Sequence, residues 1–157
     1  KVVLDFRKKF WKDDLGFVLS DEMIPTWWSQ APLKNNLLTG WAGGPVAARI
    51  AAHSDGELLE IALRSLAKIF DTTVAGLKNN LRMSHVFNWS ASQTALGAYS
   101  YATPASKEAL KILNTPLADT VFFAGEGLFE GEYPGTVEAA FRSGTDAASA
   151  MMETITG

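Results

Sequence analysis

The sequence predicts a mixed α and β chain, with strands carrying helices on one face and a terminal strand and helix after them. Three observations carry that expectation. Short apolar runs occupy the first forty or so residues, a capped amphipathic segment begins at Ser54, and an uninterrupted apolar run over 120–124 leads through a Gly-rich loop into a helix of small residues.

Along the opening residues Val2, Leu4 and Phe6 fall on one face and Val3, Asp5 and Arg7 on the other, which is a strand pattern. Phe10-Trp11 and 16–19 give a second short β-like run. An irregular, aromatic-rich connection is expected around Pro25-Thr26-Trp27-Trp28 and Pro32, and 37–42 reads as a third strand. Gly43-Gly44 then turns the chain, and Pro45 suits the first position of a short helix through 46–53, because its missing N–H would have had no partner there.

Ser54-Asp55-Gly56-Glu57 has the form of a capping box, with the Ser54 hydroxyl accepting from the Glu57 N–H and the Glu57 carboxylate reaching back to the Ser54 N–H. Leu58, Ile61, Ala62, Ser65, Leu66 and Ile69 follow at helical spacing, opposite Glu57, Glu60, Arg64 and Lys68, so the helix runs to about Phe70. A further short helix is expected over 74–81 and a strand over 85–89, followed by a loop at 97–101. With Pro104 and Pro116, residues 102–119 read as loop. The run 120–124 has the character of a strand buried on both faces of a sheet. The final helix is expected to carry Val137, Ala140, Phe141, Gly144, Ala147, Ala148, Met151 and Ile155 on one stripe, whose small residues permit close approach to another backbone. There is no internal repeat and no low-complexity tract.

The totals narrow the function. A chain of 157 residues has the size of one ordinary domain, and its net charge of −3 offers no basic field for nucleic acid or anionic lipid. Zero cysteines exclude a disulfide framework, a thiolate nucleophile, a thiolate metal site and a thioether link to a cofactor. His53 and His85 lie far apart without an acidic or Ser partner at catalytic spacing, so neither a triad nor a metal site is expected. Every apolar stretch is interrupted well short of the ~18 to 20 residues that span a bilayer. Opening directly into a strand, without Met, the covered sequence is expected to begin inside a longer protein. The compartment is then open, with the cytoplasm favoured.

The chemistry sits near the end. A buried strand, then Gly125-Glu126, a loop, and Gly135-Thr136-Val137 opening a helix form an arrangement that presents backbone N–H groups to a negative group. A helix start contributes about 0.3 to 1 kcal/mol toward such a charge. Val121-Phe122-Phe123-Ala124-Gly125-Glu126, then Gly135 to Ala140, then Ser143-Gly144 and Ala147-Ala148 resemble, in order and spacing, the closing flavin-binding motif of the flavin-containing amine oxidases. That family includes monoamine and polyamine oxidases and lysine-specific histone demethylases. Upstream, 1–11 resembles the family's strand ending in Phe-Trp, 38–48 its Gly-rich strand-to-helix step, and Trp89 with 97–101 its Trp and Gly-x-Tyr-Ser-Tyr segment.

The resemblance implies a partial FAD/NAD(P)-binding amine oxidase fold. Residues 1–104 would belong to the substrate-binding domain and 105–157 to the carboxyl-terminal part of the FAD-binding domain. Gly125, Glu126, Gly135, Thr136 and Val137 would meet FAD, Glu126 through a ribityl or ribose hydroxyl and the amides around Thr136 and Val137 through the pyrimidine edge of the flavin. Tyr99 would form one wall of an aromatic substrate cage. The implied reaction of the whole protein is oxidation of an amine, with hydride passing to the flavin, the imine hydrolysing, and O₂ restoring the flavin with release of H₂O₂.

The sequence departs from the family pattern in places. The loop between Glu126 and Gly135 is one residue longer than in many members. Ala98 stands where members with a sulfur-linked flavin carry Cys, so attachment at this position is not implied, and Thr136 stands where a second cage aromatic often sits. The family's Gly-x-Gly-x-x-Gly and active-site Lys are not among these residues, so the chain by itself is expected to be inactive, to contain no catalytic residue and to hold no tightly bound FAD. Apolar faces of 121–124 and of the last helix would then be uncovered, which makes self-association into a homo-oligomer the corresponding hypothesis.

Alternatives stand beside this reading. A related FAD-dependent desaturase or protoporphyrinogen-oxidase-like enzyme shares similar closing motifs, and a binding module that lost its cofactor would keep the fold. Taken singly, Glu126 is a solvated loop carboxylate, Thr136 a helix cap, and Tyr99 and Tyr101 half-buried strand aromatics. Trp27, Trp28 and Trp41 read as packing residues, and Asp13-Asp14 and Asp21-Glu22 as solvated turns.

Overall fold

The computed structural model describes residues 1–95 and 98–156, in two compact units that divide after residue 97. The first unit is a five-stranded antiparallel sheet with helices. Its strands are β1 (Val2–Phe6), β2 (Phe17–Leu19), β3 (Thr26–Ser29), β4 (Leu37–Trp41) and β5 (Leu81–Val86), and they lie in the order β2-β3-β4-β1-β5. Helices α1 (Gly44–Ile50), α2 (Asp55–Ile69) and α3 (Val74–Asn80) stand in sequence between β4 and β5.

β1 is the organising strand because it pairs on both sides, Leu4 lying opposite Leu38 of β4 and Ser84 of β5. Its Val2, Leu4 and Phe6 are buried, and they join Trp27, Leu38 and the Leu58, Ala62, Leu63 and Leu66 side of α2 in one core. α2 begins as its capping box requires: the Ser54 hydroxyl accepts from the Glu57 N–H and the Glu57 carboxylate accepts from the Ser54 N–H. Phe6, Phe10, Trp11 and Phe70 meet edge to face, with ring centroids 4.8–5.9 Å apart. On the other side of β1, Asp5 is buried and accepts from the Arg82 guanidinium of β5, which ties the edge strand to its neighbour.

Two expectations for this unit are corrected. The Trp27-Trp28 segment is a strand, β3, because its period-two alternation puts Trp27 in the core while its backbone pairs with β2 and β4. The strand expected at 85–89 begins at Leu81 and ends at Val86, and Trp89 opens a short 3₁₀ turn over Trp89–Ala91. The register is set by pairing with β1, which runs from Phe6↔Leu81 to Val2↔Val86 and leaves Trp89 beyond its reach.

The second unit contains α4 (Ser106–Leu113) and α5 (Val137–Thr156), with a 3₁₀ turn over Glu126–Leu128 between them. Residues 102–119 are thus not all loop. The Ser-Lys-Glu-Ala-Leu-Lys-Ile-Leu segment forms a helix between Pro104 and Pro116, so these prolines bound a helix and do not preclude one. The buried strand expected at 120–124 is reduced to a single antiparallel bridge between Leu117 and Val121. Among the described residues no strand lies beside it to complete a ladder, and Val121 and Phe123 are exposed at 42% and 47%. No helix of the described residues is long and apolar enough to cross a membrane.

Candidate functional site

All the site residues singled out from the sequence lie in the second unit, and three links bring them together. Ser100 donates twice to Glu126, its backbone N–H to Oε1 at 2.7 Å and its hydroxyl to Oε2 at 2.8 Å. The Gly135 N–H also lowers the pKa of the same carboxylate, by less than Ser100 does. Tyr99, one residue before Ser100, lies on Gly135: a Cβ at position 135 would stand 3.2 Å from Tyr99 Cδ2. Gly135 has φ of +78°, a left-handed conformation that suits glycine, so both its backbone angle and this contact call for the absence of a side chain.

The helix end is built just beyond. Thr136 caps α5, its hydroxyl accepting from the Ala139 N–H at 3.1 Å and donating to the Tyr133 carbonyl at 2.8 Å. Its carbonyl accepts from the Ala140 N–H. No acceptor among the described residues takes the N–H of Thr136 or of Val137, so two donors at the positive end of a 20-residue helix stay open to a ligand. Gly125 is extended, and its N–H donates to the hydroxyl of buried Ser143 at 3.2 Å, which anchors the residue before Glu126 to α5.

That anchor explains how α5 is turned. The expected apolar stripe is largely on the outside, with Val137, Phe141 and Ile155 exposed at 88%, 69% and 76%, whereas Ala139 and Ser143 are buried. Short side chains at 139 and 143 let the helix approach the turn at Glu126–Leu128, and the Ser143 hydroxyl satisfies an N–H there that an apolar residue would leave bare.

Electrostatically the carboxylate of Glu126 is fixed in its charged form. The Ser100 N–H and then the Ser100 hydroxyl hold its pKa below the ordinary glutamate value, with a smaller contribution in the same direction from the Gly135 N–H. A carboxylate has about four acceptor positions, of which the two Ser100 donors take two, so about two positions are left for outside hydroxyls.

Sequence reasoning named Tyr99, Gly125, Glu126, Gly135, Thr136 and Val137, and the structure places them within one local arrangement. It missed what Ser100 and Ser143 do. Both stand inside the quoted motifs, but neither position has a spacing rule that would foretell a bond 26 or 18 residues away. Tyr101 is 82% exposed and takes no part. A cavity of about 270 Å³ elsewhere in the unit is lined by Phe122, Phe129, Asp146 and Ala150 among others, and none of the six named residues borders it. No cluster of His, Cys, Asp or Glu among the described residues could hold a metal ion.

In architecture the chain is similar to the cyclohexylamine oxidase from Brevibacterium oxydans IH-35A, with a TM-score of 0.77 and 25% identity over 98% of this chain and 34% of that one. The model of the flavin containing amine oxidoreductases matches residues 1–152, and the chain belongs to that family. It is also similar to the lysine-specific histone demethylase 1 homolog 3 of Arabidopsis thaliana, 30% identical over 153 residues. That match covers 92% of this chain and 9% of the plant protein, so the chain spans about a tenth of the curated relative and about a third of the solved one.

Proposed function

We propose that this chain supplies part of the substrate-binding domain, over 1–104, and the closing flavin-contacting segment, over 105–157, of an FAD-dependent amine oxidase. The observation that carries the reading is the convergence of Glu126, Gly135 and Tyr99 on the open amide end of α5. The donor set fits the cofactor. The Thr136 and Val137 N–H groups suit the carbonyl and ring-nitrogen edge of an isoalloxazine, and the open acceptor positions on Glu126 suit a sugar-chain hydroxyl.

When bound, FAD would supply an acceptor for a hydride from the carbon that bears nitrogen, with O₂ as the terminal oxidant and H₂O₂ as its product. The chain's own residues bind and orient. The start of α5 favours negative charge on the group it faces, and its donors are already in place, so no reorganisation is needed when that charge develops. Tyr99, more than half exposed and backed by Gly135, presents a ring face suited to the apolar body of an amine. Glu126 stays an acceptor through neutral pH because its donors favour the charged form.

An amine is the substrate class in keeping with both relatives, one named for cyclohexylamine and the other for histone lysine. The test uses the full-length protein. Flavin absorbance near one equivalent, together with peroxide release from a panel holding cyclohexylamine and a methylated lysine peptide, is the expected result. A flavin-containing protein silent with every amine would point to the desaturase alternative, and one without flavin to a binding module.

A further inference from the structure

We propose that Ser100 is a positioning residue, which sets the place of the Tyr99 ring and aims the open acceptor positions of Glu126. The proposal rests on the flavin reading above and deepens it.

Ser100 is the one residue that gives two donors to Glu126 among the described hydrogen bonds, and it gives one to each carboxylate oxygen. A single donor leaves a carboxylate free to swing about its bond to the chain. Two donors from one backbone position fix both oxygens and therefore the plane of the group. Gly127 leaves room for that hydroxyl: a Cβ at 127 would lie 3.3 Å from both Cβ and Oγ of Ser100 and would crowd the serine side chain.

The consequence for Tyr99 follows from adjacency. Its backbone is pinned on one side by the Ser100 N–H bond, and its ring is stopped on the other by the Gly135 backbone. The Gly135 N–H also bears on the Glu126 carboxylate and favours its charged form, so Tyr99, Ser100 and Gly135 gather around one carboxylate. Removing the Ser100 hydroxyl frees Oε2 of Glu126 and leaves the Ser100 N–H as the one hydrogen-bond donor among the described residues that still holds the carboxylate. Neither substrate chemistry nor proton transfer passes through Ser100; it acts through the two residues it holds.

The experiment is made on the full-length holoenzyme with Ser100→Ala and Ser100→Thr, reading flavin retained after extended gel filtration and KM apart from kcat. Ser100→Ala is expected to raise KM for the amine roughly tenfold, the scale of one hydrogen bond to a charged group, with a smaller effect on kcat. Its flavin is expected to be lost several-fold faster, and Ser100→Thr, which keeps both donors, is expected to restore both readings. Should Ser100→Ala fail to fold, Ser100→Cys keeps the size with a weaker donor and is expected to shift both readings the same way by less. Wild-type retention and KM in the Ala or Cys variant, with flavin bound, would overturn the role of Ser100 and leave the oxidase reading intact. A wild-type protein that holds no flavin would overturn both.

Discussion

Gly40 of β4 lies directly beneath the indole of Trp27 of β3, and a Cβ on Gly40 would stand 2.7–2.9 Å from three carbons of that ring. Trp27 is fully buried, and its Nε1–H donates to the Ile24 carbonyl at 2.9 Å, so the ring cannot retreat without breaking that bond or opening the core. The glycine is there for room.

Gly40→Ala is accordingly expected to destabilise the sheet unit by about 2 kcal/mol, the scale of overpacking in a filled core. Chemical denaturation checks it, as a lower midpoint at unchanged slope. In a Trp27→Phe background the same change is expected to cost markedly less, since the two positions touch. Equal costs in both backgrounds would show that the contact is not what Gly40 serves.

Ser65 tests a buried polar link. Its hydroxyl accepts from the Ile24 N–H and donates to the Ile61 carbonyl, both at 3.1 Å, and both Ser65 and Ile24 are buried. Ser65→Ala would leave the Ile24 N–H without an acceptor, at a cost of about 1 to 3 kcal/mol. The denaturation midpoint should fall accordingly, and hydrogen exchange at the Ile24 amide should accelerate. An unchanged exchange rate would mean that the amide finds another partner.

These two cases bear on what the chain itself reveals. The α2 capping box was legible because both partners lie within four residues, and β1 because alternation alone sorted Val2, Leu4 and Phe6 from Asp5. β3 was not, since two adjacent tryptophans between prolines conceal an alternation that only pairing with β2 and β4 makes plain. The same limit applied to the site. Motif resemblance pointed to Tyr99, Glu126, Gly135 and Thr136 as candidates, while the bonds from Ser100 and Ser143 depend on how far-apart segments meet. The facing of α5 was misread for a physical reason: its apolar residues outnumber its buried ones, and small Ala139 and Ser143 decide which side packs.

The isolated 157-residue polypeptide is expected to purify without flavin. Its groups proposed to meet the cofactor are a helix end that would donate and one carboxylate that would accept, both on an open surface, and no Gly-x-Gly-x-x-Gly turn is present for the pyrophosphate. Phe141, Val137 and Ile155 on α5 and Phe17 and Leu19 on β2 are exposed, so light scattering is expected to register mass above that of a monomer. One equivalent of co-purifying flavin would refute the first expectation, and a clean monomer the second.

Acid titration distinguishes the site carboxylate from a solvated one. Glu126 has its pKa lowered in the folded state by Ser100 and Gly135, and Glu57 has its own lowered by the Ser54 N–H and hydroxyl. A group depressed on folding contributes its full stability above its unfolded pKa and loses that contribution as pH falls through the folded value. Stability should therefore be level in this respect from neutral pH down to about 4.3 and decline below it. Glu126→Gln removes one part of that decline and Glu57→Gln another, a third coming from Asp13, which Lys9 holds below the ordinary carboxylate value, so each variant should show a shallower acid limb than the wild type. Ser100→Ala should act like a partial Glu126→Gln, because it takes away one of the donors that prefer the charged carboxylate. An acid limb identical in wild type and Ser100→Ala would mean that the hydroxyl does not hold Glu126 in solution.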